Sequence, residues 1–156
     1  MLETTQQRFR PSDPSPEKIS ILLISSHSED LGMLRTILHH QGWEIAYCSS
    51  AAEAERHLTA APLSIVVCER ELSDGNWKDI LRKTEAILHP PLLLVVSRHA
   101  DEQLWAEVLN LGGYDVLLKP FDRMEVTRVV GMAWRFWHNS NRLAAAKTGA
   151  AVLKCA

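Results

Sequence analysis

Polar side chains stand where the most apolar runs of the sequence end. The runs ISILLI, LSIVVC, LLLVV and YDVLL are followed in turn by Ser25 and Ser26, by Glu69, by Ser97 and by Lys119. A carboxylate and an ammonium group that meet form an ion pair, whereas a serine hydroxyl becomes a nucleophile only beside a partnered base. Which of these chemistries is available depends on the elements that carry the five residues.

The apolar runs alternate with longer segments in which apolar residues recur at helical spacing. Continuous Ile, Val and Leu runs are typical of strands buried on both faces, and the more polar second run is typical of an edge strand. The predicted strands span residues 19–25, 43–48, 63–68, 92–97 and 114–118. The predicted helices span residues 29–40, 51–60, 77–88, 102–111 and 123 to about 147, with Ser28, Ser50, Asp101 and Asp122 at their starts.

Five strand–helix units predict an α/β fold with right-handed connections, a parallel sheet and helices on both faces. They fit the flavodoxin-like, doubly wound five-stranded sheet of strand order 2-1-3-4-5, and a three-layer α/β domain of another order is the alternative. Ligand sites of such sheets lie outside the carboxyl ends of the strands. The five polar residues are therefore predicted to gather there, with His27 close by at the start of the first helix and pointing into solvent.

The composition is that of a globular protein and argues against several classes of function. Apolar residues make up 46% and charged residues 23% of the 156 residues, and a formal charge of −2 disfavours nucleic-acid binding driven by net charge. The three cysteines form no metal-ligating motif, and no run is long and apolar enough for a membrane helix. We expect a cytoplasmic protein without nucleic-acid or membrane partners.

Three regions are predicted along the chain. Residues 1–17 contain three prolines and no apolar run, which predicts a disordered arm. Residues 18–140 form the folded domain, and residues 141–156 extend the last helix and end in a tail. No glycine-rich loop follows the first strand, which disfavours a dinucleotide or P-loop site. The hydroxyls of the segment SSHS leave a small-ligand site of the flavin-binding kind as a weaker hypothesis.

Three segments resemble receiver domains of response regulators, the phosphate-accepting modules of two-component signalling. GGYDVLLKPFD (residues 112–122) resembles the end of their fifth strand, where a lysine precedes a proline in a cis peptide bond. SIVVCERELSDG (64–75) resembles the segment around their phospho-accepting aspartate, and VVSRHAD (95–101) resembles the end of their fourth strand. The resemblance covers about residues 19–137 and implies the same fold.

The resemblance also implies roles for individual residues. Lys119 matches the lysine that pairs with the transferred phosphoryl group, and Ser97 matches the switch hydroxyl. Glu69 stands at the position of the phospho-acceptor, and Val116 stands where the family often has a switch aromatic residue. Ser25 and Ser26 stand where the family has two acidic residues that hold Mg²⁺.

These departures predict a degenerate receiver, or pseudo-receiver, with no catalytic residues and no metal. Serines lack the charge that holds Mg²⁺, and a glutamate misplaces the attacking oxygen by one methylene. Glu69 is expected to pair with Lys119 instead, either as a structural ion pair or as an imitation of the phosphorylated state. Glu71 and Asp74 are interpreted as solvated loop charges and not as substitute acceptors.

The last helix provides the second functional prediction. Trp134, Phe136 and Trp137 point in directions too far apart around the helix for all three to face the sheet. At least one of these rings is therefore exposed and available to a partner. The resemblance implies an interaction face made by helix 4, strand 5 and helix 5, where a signalling protein or a second copy would bind. The interface candidates are Trp105, Val108, Arg128, Trp134, Phe136 and Trp137.

The sequence therefore predicts a stand-alone, non-enzymatic signalling domain that acts by protein–protein interaction, without phosphorylation and without a cofactor. The alternative is a phosphoacceptor response regulator of a phosphorelay, which would need Mg²⁺. The third hypothesis is the flavin-like ligand binder.

Overall fold

The computed structural model describes residues 19–39, 42–99 and 101–154, with side chains up to residue 148. The predicted disordered arm, residues 1–17, lies outside the described residues.

The central feature is a five-stranded parallel sheet with helices on both faces. Its strands are β1 (Ser20–Ile24), β2 (Glu44–Cys48), β3 (Ile65–Glu69), β6 (Leu92–Ser97) and β7 (Asp115–Leu118). A short antiparallel pair, β4 (Glu71–Leu72) and β5 (Gly75–Asn76), lies between β3 and the third helix. The sheet order is β2-β1-β3-β6-β7, which is 2-1-3-4-5 when the five long strands are counted, so the predicted topology is confirmed.

The helices are α1 (Glu29–Leu38), α2 (Ala51–Ala60), α3 (Trp77–Glu85), α4 (Glu102–Leu111) and α5 (Arg123–Lys154). Alternate strand residues enter two separate buried clusters, because successive side chains of a strand point to opposite faces. Leu22 and Ile24 pack with residues of α2, α3 and α4, whereas Ile21 and Leu23 pack with residues of α1 and α5. This burial on both faces explains the continuous apolar runs.

Local sequence signals set most helix starts. Ser50, Asp101 and Asp122 each accept a hydrogen bond from the backbone N–H three residues further on, as expected for N-caps. Ser28 makes no such bond and has a helical backbone conformation, so its predicted capping role is wrong. Asn76 caps α3 in a reciprocal capping box that the sequence prediction missed.

Two helix ends differ from the prediction. α3 ends at Glu85, three residues early, and the chain leaves it through a turn in which the Ile87 N–H donates to the Thr84 carbonyl at 3.1 Å. α5 continues to Lys154, beyond the predicted limit of about residue 147, and is 32 residues long. Despite that length, none of the helices in the described part of the chain is apolar enough to cross a membrane.

Candidate functional site

The carboxyl ends of β1, β3 and β7 bring one ammonium group and two carboxylates together. Lys119, buried directly after β7, forms an ion pair with Asp30 of α1, which is also buried. The Lys119 Nζ atom lies 3.4 Å from Oε1 of Glu69, the last residue of β3. The predicted Glu69–Lys119 pair is therefore present, but the lysine makes its shorter contact with Asp30.

Donors surround the Glu69 carboxylate. Ser26 donates to Oε2 twice, from its hydroxyl at 2.8 Å and from its backbone N–H at 3.0 Å. His27 remains 43% exposed, as its predicted orientation toward solvent requires, but its Nδ1 also lies 3.1 Å from Oε1, a contact that the prediction did not include. With Lys119 on the same oxygen as His27, both carboxylate oxygens of Glu69 are engaged by the chain itself.

This environment changes the acidity of Glu69. Burial alone would raise the pKa of the carboxyl, but the hydrogen bonds from Ser26, together with the charges of Lys119 and His27, outweigh it. The pKa of Glu69 is held below its ordinary value, so the group carries its negative charge at neutral pH.

Asp30 is the functional residue that the sequence analysis missed. Its carboxylate accepts a hydrogen bond from the Ser25 hydroxyl at 2.6 Å and pairs with Lys119. Asp30, Leu34 and Leu38 are the buried residues of α1, at i, i+4 and i+8. An acidic residue in register with a buried helical stripe was the available signal, because a buried charge requires a partner.

Ser25 and Ser26 have separate roles although they are adjacent. Ser25 is buried, and its hydroxyl donates to Asp30 and lies 3.4 Å from Oε2 of Glu69, whereas Ser26 is exposed and binds Glu69 alone of the two carboxylates. The two serines thus hold the two carboxylates in place.

Of the two predicted switch residues, Ser97 is the last residue of β6 and Val116 is the second residue of β7. The Ser97 hydroxyl accepts the backbone N–H of His99 at 3.1 Å, and the side chain is buried. Val116 is buried in the cluster that contains Trp77 and Leu104, so it fills the core between β7 and the helices of that face. The peptide bond between Lys119 and Pro120 is cis, as the resemblance implied.

The loop after β3 supplies another carboxylate with a structural function. Asp74 accepts hydrogen bonds from the backbone N–H groups of Ala51 at 2.8 Å and Ala52 at 3.0 Å, at the start of α2. These bonds lower the pKa of Asp74. Asp74 is exposed, but it is not simply solvated, because it ties the β4–β5 hairpin to α2. Glu71 is exposed on β4, as predicted.

The predicted interface residues divide between two surfaces. Trp105 is 51% exposed and donates to Asp115 of β7, and Phe136 is 56% exposed with its ring 5.9 Å from that of Tyr114. Trp105 and Phe136 thus lie on the surface made by α4, β7 and α5, and Arg128 of α5 is exposed.

The other three predicted interface residues lie elsewhere. Trp134 and Trp137 are half-buried and line a groove at the opposite end of the sheet. Val108 was wrongly placed in the interface, because its side chain is fully buried in the core beneath α4.

The donor set of the pocket does not fit a bound Mg²⁺ ion well. Magnesium requires several oxygen ligands, chiefly from carboxylates and water. Both carboxylates here face the Lys119 ammonium, and no cluster of three or more His, Cys, Asp or Glu side chains suited to a metal occurs among the described residues.

Comparison with known proteins identifies the family. The family model of the response regulator receiver domain matches residues 21–131, which is most of the chain, so the protein belongs to this family. The chain is 27% identical over 135 residues to the transcriptional regulatory protein TrcR of Mycobacterium tuberculosis, covering 84% of this chain and 51% of TrcR. It is 21% identical over 113 residues to the transcriptional regulatory protein ZraR of Escherichia coli, covering 71% of this chain and 26% of ZraR.

Solved structures agree on the fold. The signal receiver domain of an HD domain-containing protein from Pseudomonas fluorescens superimposes with a TM-score of 0.75 at 19% identity, over 85% of this chain and 98% of that domain. The chain spans about half the length of TrcR and about a quarter of ZraR, so the shared part is the receiver.

Proposed function

We propose that this receiver acts by binding a protein partner and does not accept a phosphoryl group. The observation that carries the proposal is the set of contacts to Glu69, whose two carboxylate oxygens are engaged by Ser26, His27 and Lys119. A nucleophilic carboxylate must approach the phosphorus atom in line, and these donors hold the glutamate away from that role.

Lys119 supports the same proposal. In phosphoryl transfer, a lysine at this position neutralises the charge of the transferred group. Here the ammonium group is paired with Asp30 and also lies near Glu69. A phosphoryl group would have to compete for this lysine with two carboxylates of the same chain. The pocket thus acts as a fixed structural element, without enzymatic activity or a cofactor.

The surface made by α4, β7 and α5 is the proposed site for the partner, a signalling protein or a second copy of the chain in the cytoplasm. Trp105 and Phe136 place large exposed rings on it. Aromatic residues supply much of the binding energy of protein interfaces, because they bury a large area with few rotatable bonds. TrcR and ZraR are named as transcriptional regulators, so a partner that controls transcription is a natural candidate.

Intact-mass analysis after incubation with a small-molecule phosphodonor and Mg²⁺ tests the phosphorylation part of the proposal. Wild-type protein is expected to keep its mass. The triple variant Ser25→Asp, Ser26→Asp, Glu69→Asp restores the residue types of an active receiver, and adding Asp30→Leu frees Lys119 from its buried carboxylate. We expect the fourfold variant to gain a labile phosphoryl group, and to gain more of it than the triple variant does.

A labile phosphoryl group on the wild type would overturn the proposal in favour of a Mg²⁺-dependent phosphoacceptor. Its position is then mapped, with Glu69→Gln as the variant that separates the pocket from Glu71 and Asp74. A chromophore that co-purifies with the protein would instead favour the ligand-binding hypothesis.

A further inference from the structure

The end of the sheet opposite the ion-paired pocket carries an open groove of about 660 Å³. The groove forms because α5 continues past the amino ends of the strands and leaves a space between the helix and the domain. The residues that matter for its chemistry are Ser20, Pro62 and Ser64 on the domain side and Trp134, Trp137 and Arg142 on α5.

The two indole rings of the groove are held in fixed orientations. The ring of Trp134 stacks on the imidazole of His138, with the centroids 5.0 Å apart and the planes 20° from parallel. The indole N–H of Trp137 donates to the carbonyl oxygen of Pro90 at 3.1 Å. Preorganised aromatic surfaces of this kind bind proline-rich segments, because a polyproline II helix is already extended and loses little entropy on binding.

The charge of the groove restricts the kind of segment that fits it. Arg142 contributes a positive charge, and among the described residues no Asp or Glu lines the groove. A proline-rich segment that carries acidic residues therefore matches both the aromatic surface and the sign of the charge.

A segment with this chemistry precedes the domain in the same chain. Residues 11–17 have the sequence PSDPSPE, with three prolines, a P-x-x-P spacing and two acidic residues, Asp13 and Glu17. Glu17 is only three residues from Ser20 of the groove, so it cannot be more than about 11 Å from it. We propose that the groove binds residues 11–17 of its own chain, with the prolines against the indole rings and the acidic side chains near Arg142.

The short connection to Ser20 favours binding of residues 11–17 over binding of a separate molecule. A segment joined to its site by a short connection has an effective concentration of the order of millimolar, which a free partner must exceed. The inference is independent of the pocket at the carboxyl ends of the strands, because it uses none of that pocket's residues.

Paramagnetic relaxation in the full-length protein tests the proposal. A spin label is attached at Gln7→Cys in a Cys155→Ser background, where Cys48 and Cys68 remain buried and unlabelled. We expect the indole N–H signals of Trp134 and Trp137 to lose more than half of their intensity, while the indole signal of Trp77 is preserved.

A matched variant distinguishes binding of residues 11–17 in the groove from the mere closeness of a label attached to a short segment. Replacing the three prolines by alanine (Pro11→Ala, Pro14→Ala, Pro16→Ala) leaves the tether length unchanged and is expected to weaken the broadening severalfold. Arg142→Glu is expected to act in the same direction, whereas Arg135→Glu, on the same helix but outside the groove, is expected to have no effect. Equal broadening in the wild type and in the proline variant would overturn the proposal.

A mixing experiment distinguishes binding within one molecule from binding between two copies of the chain. Spin-labelled protein at natural isotope abundance is added to ¹⁵N-labelled protein without a label. We expect no broadening of the two indole signals in the mixture, because the segment and the groove belong to one molecule. Broadening there would assign the groove to the segment of a second copy and would refute the intramolecular proposal.

Discussion

The charged side chains at the two ends of the sheet have different surroundings. At the carboxyl ends of the strands, the charges of Asp30, Glu69 and Lys119 are satisfied by one another and by serine hydroxyls and backbone groups. At the amino ends, Arg142 and two indole rings line a groove to which the described part of the chain contributes no acidic side chain. The charged groups at the carboxyl ends are paired with one another, whereas the groove beside the long helix has the properties of a binding surface.

The largest effect on stability is expected from removing the buried cation at the carboxyl ends of the strands. Lys119→Met leaves Asp30 buried without a cation, and the loss of one partner of a buried ion pair costs about 3 kcal/mol in the free energy of unfolding. Urea denaturation measures the loss.

The double variant Lys119→Met, Asp30→Leu is the matched control, because replacing a buried pair by apolar residues is often nearly neutral. Lys83→Met, which removes an exposed ion pair with Glu55, should cost less than about 1 kcal/mol. If the single variant is no less stable than the Lys83 control, the buried pair does not hold this end of the sheet together.

An intermediate effect is expected at the groove. Trp137→Phe keeps an aromatic ring but removes the N–H that donates to Pro90, and the loss of such a hydrogen bond costs about 1 kcal/mol. Thermal or urea denaturation measures the change. A stability equal to that of the wild type would mean that the hydrogen bond between Trp137 and Pro90 does not form in solution. The indole ring of Trp137 would then not be held in a fixed orientation.

A smaller effect is expected from titrating Glu69, whose carboxylate is still partly in contact with water. Its pKa is lower in the folded state than in the unfolded chain, so its contribution to stability is present above the unfolded value of about 4.3 and is lost as the pH falls through the folded value. Unfolding free energies measured from pH 7 to pH 3 should fall less steeply in Glu69→Gln than in the wild type. Identical slopes would show that Ser26 and Lys119 do not stabilise the charged form.

The smallest effect on stability is expected on the surface made by α4, β7 and α5. Phe136→Ser exposes no core residue and should change the free energy of unfolding by less than about 0.5 kcal/mol. It should nevertheless weaken self-association, or binding of an isolated partner, as measured by sedimentation velocity. A large loss of stability would mean that the contact with Tyr114 makes Phe136 part of the core and not of an interface.

The sequence was sufficient for most of the fold because buried parallel strands leave a strong pattern. Each long strand appears as an apolar run, and the polar residues at the ends of these runs do meet in space. Asp30 was missed because it belongs to a helix and not to the end of a strand. Its carboxylate reaches the pocket only through the packing of α1 on the sheet, which the strand pattern does not indicate.

The α5 aromatics show a second limit of the sequence. Trp134, Phe136 and Trp137 are almost adjacent, yet they serve two different surfaces, because neighbouring helical positions point about 100° apart. The sequence predicted that they diverge but did not show which surface each would reach. The β4–β5 pair was also missed, since two strands of two residues each are too short to produce a pattern.

The length of α5 has a mechanical consequence. The helix continues for seventeen residues after Trp137, which corresponds to about 26 Å at 1.5 Å per residue. A rotation of the helix by about 10° about its seat on the sheet would move its far end by about 4 to 5 Å, if the helix stays straight over that length. A change in the packing of α5 too small to disturb the core would therefore displace its far end by a distance comparable to the diameter of a side chain.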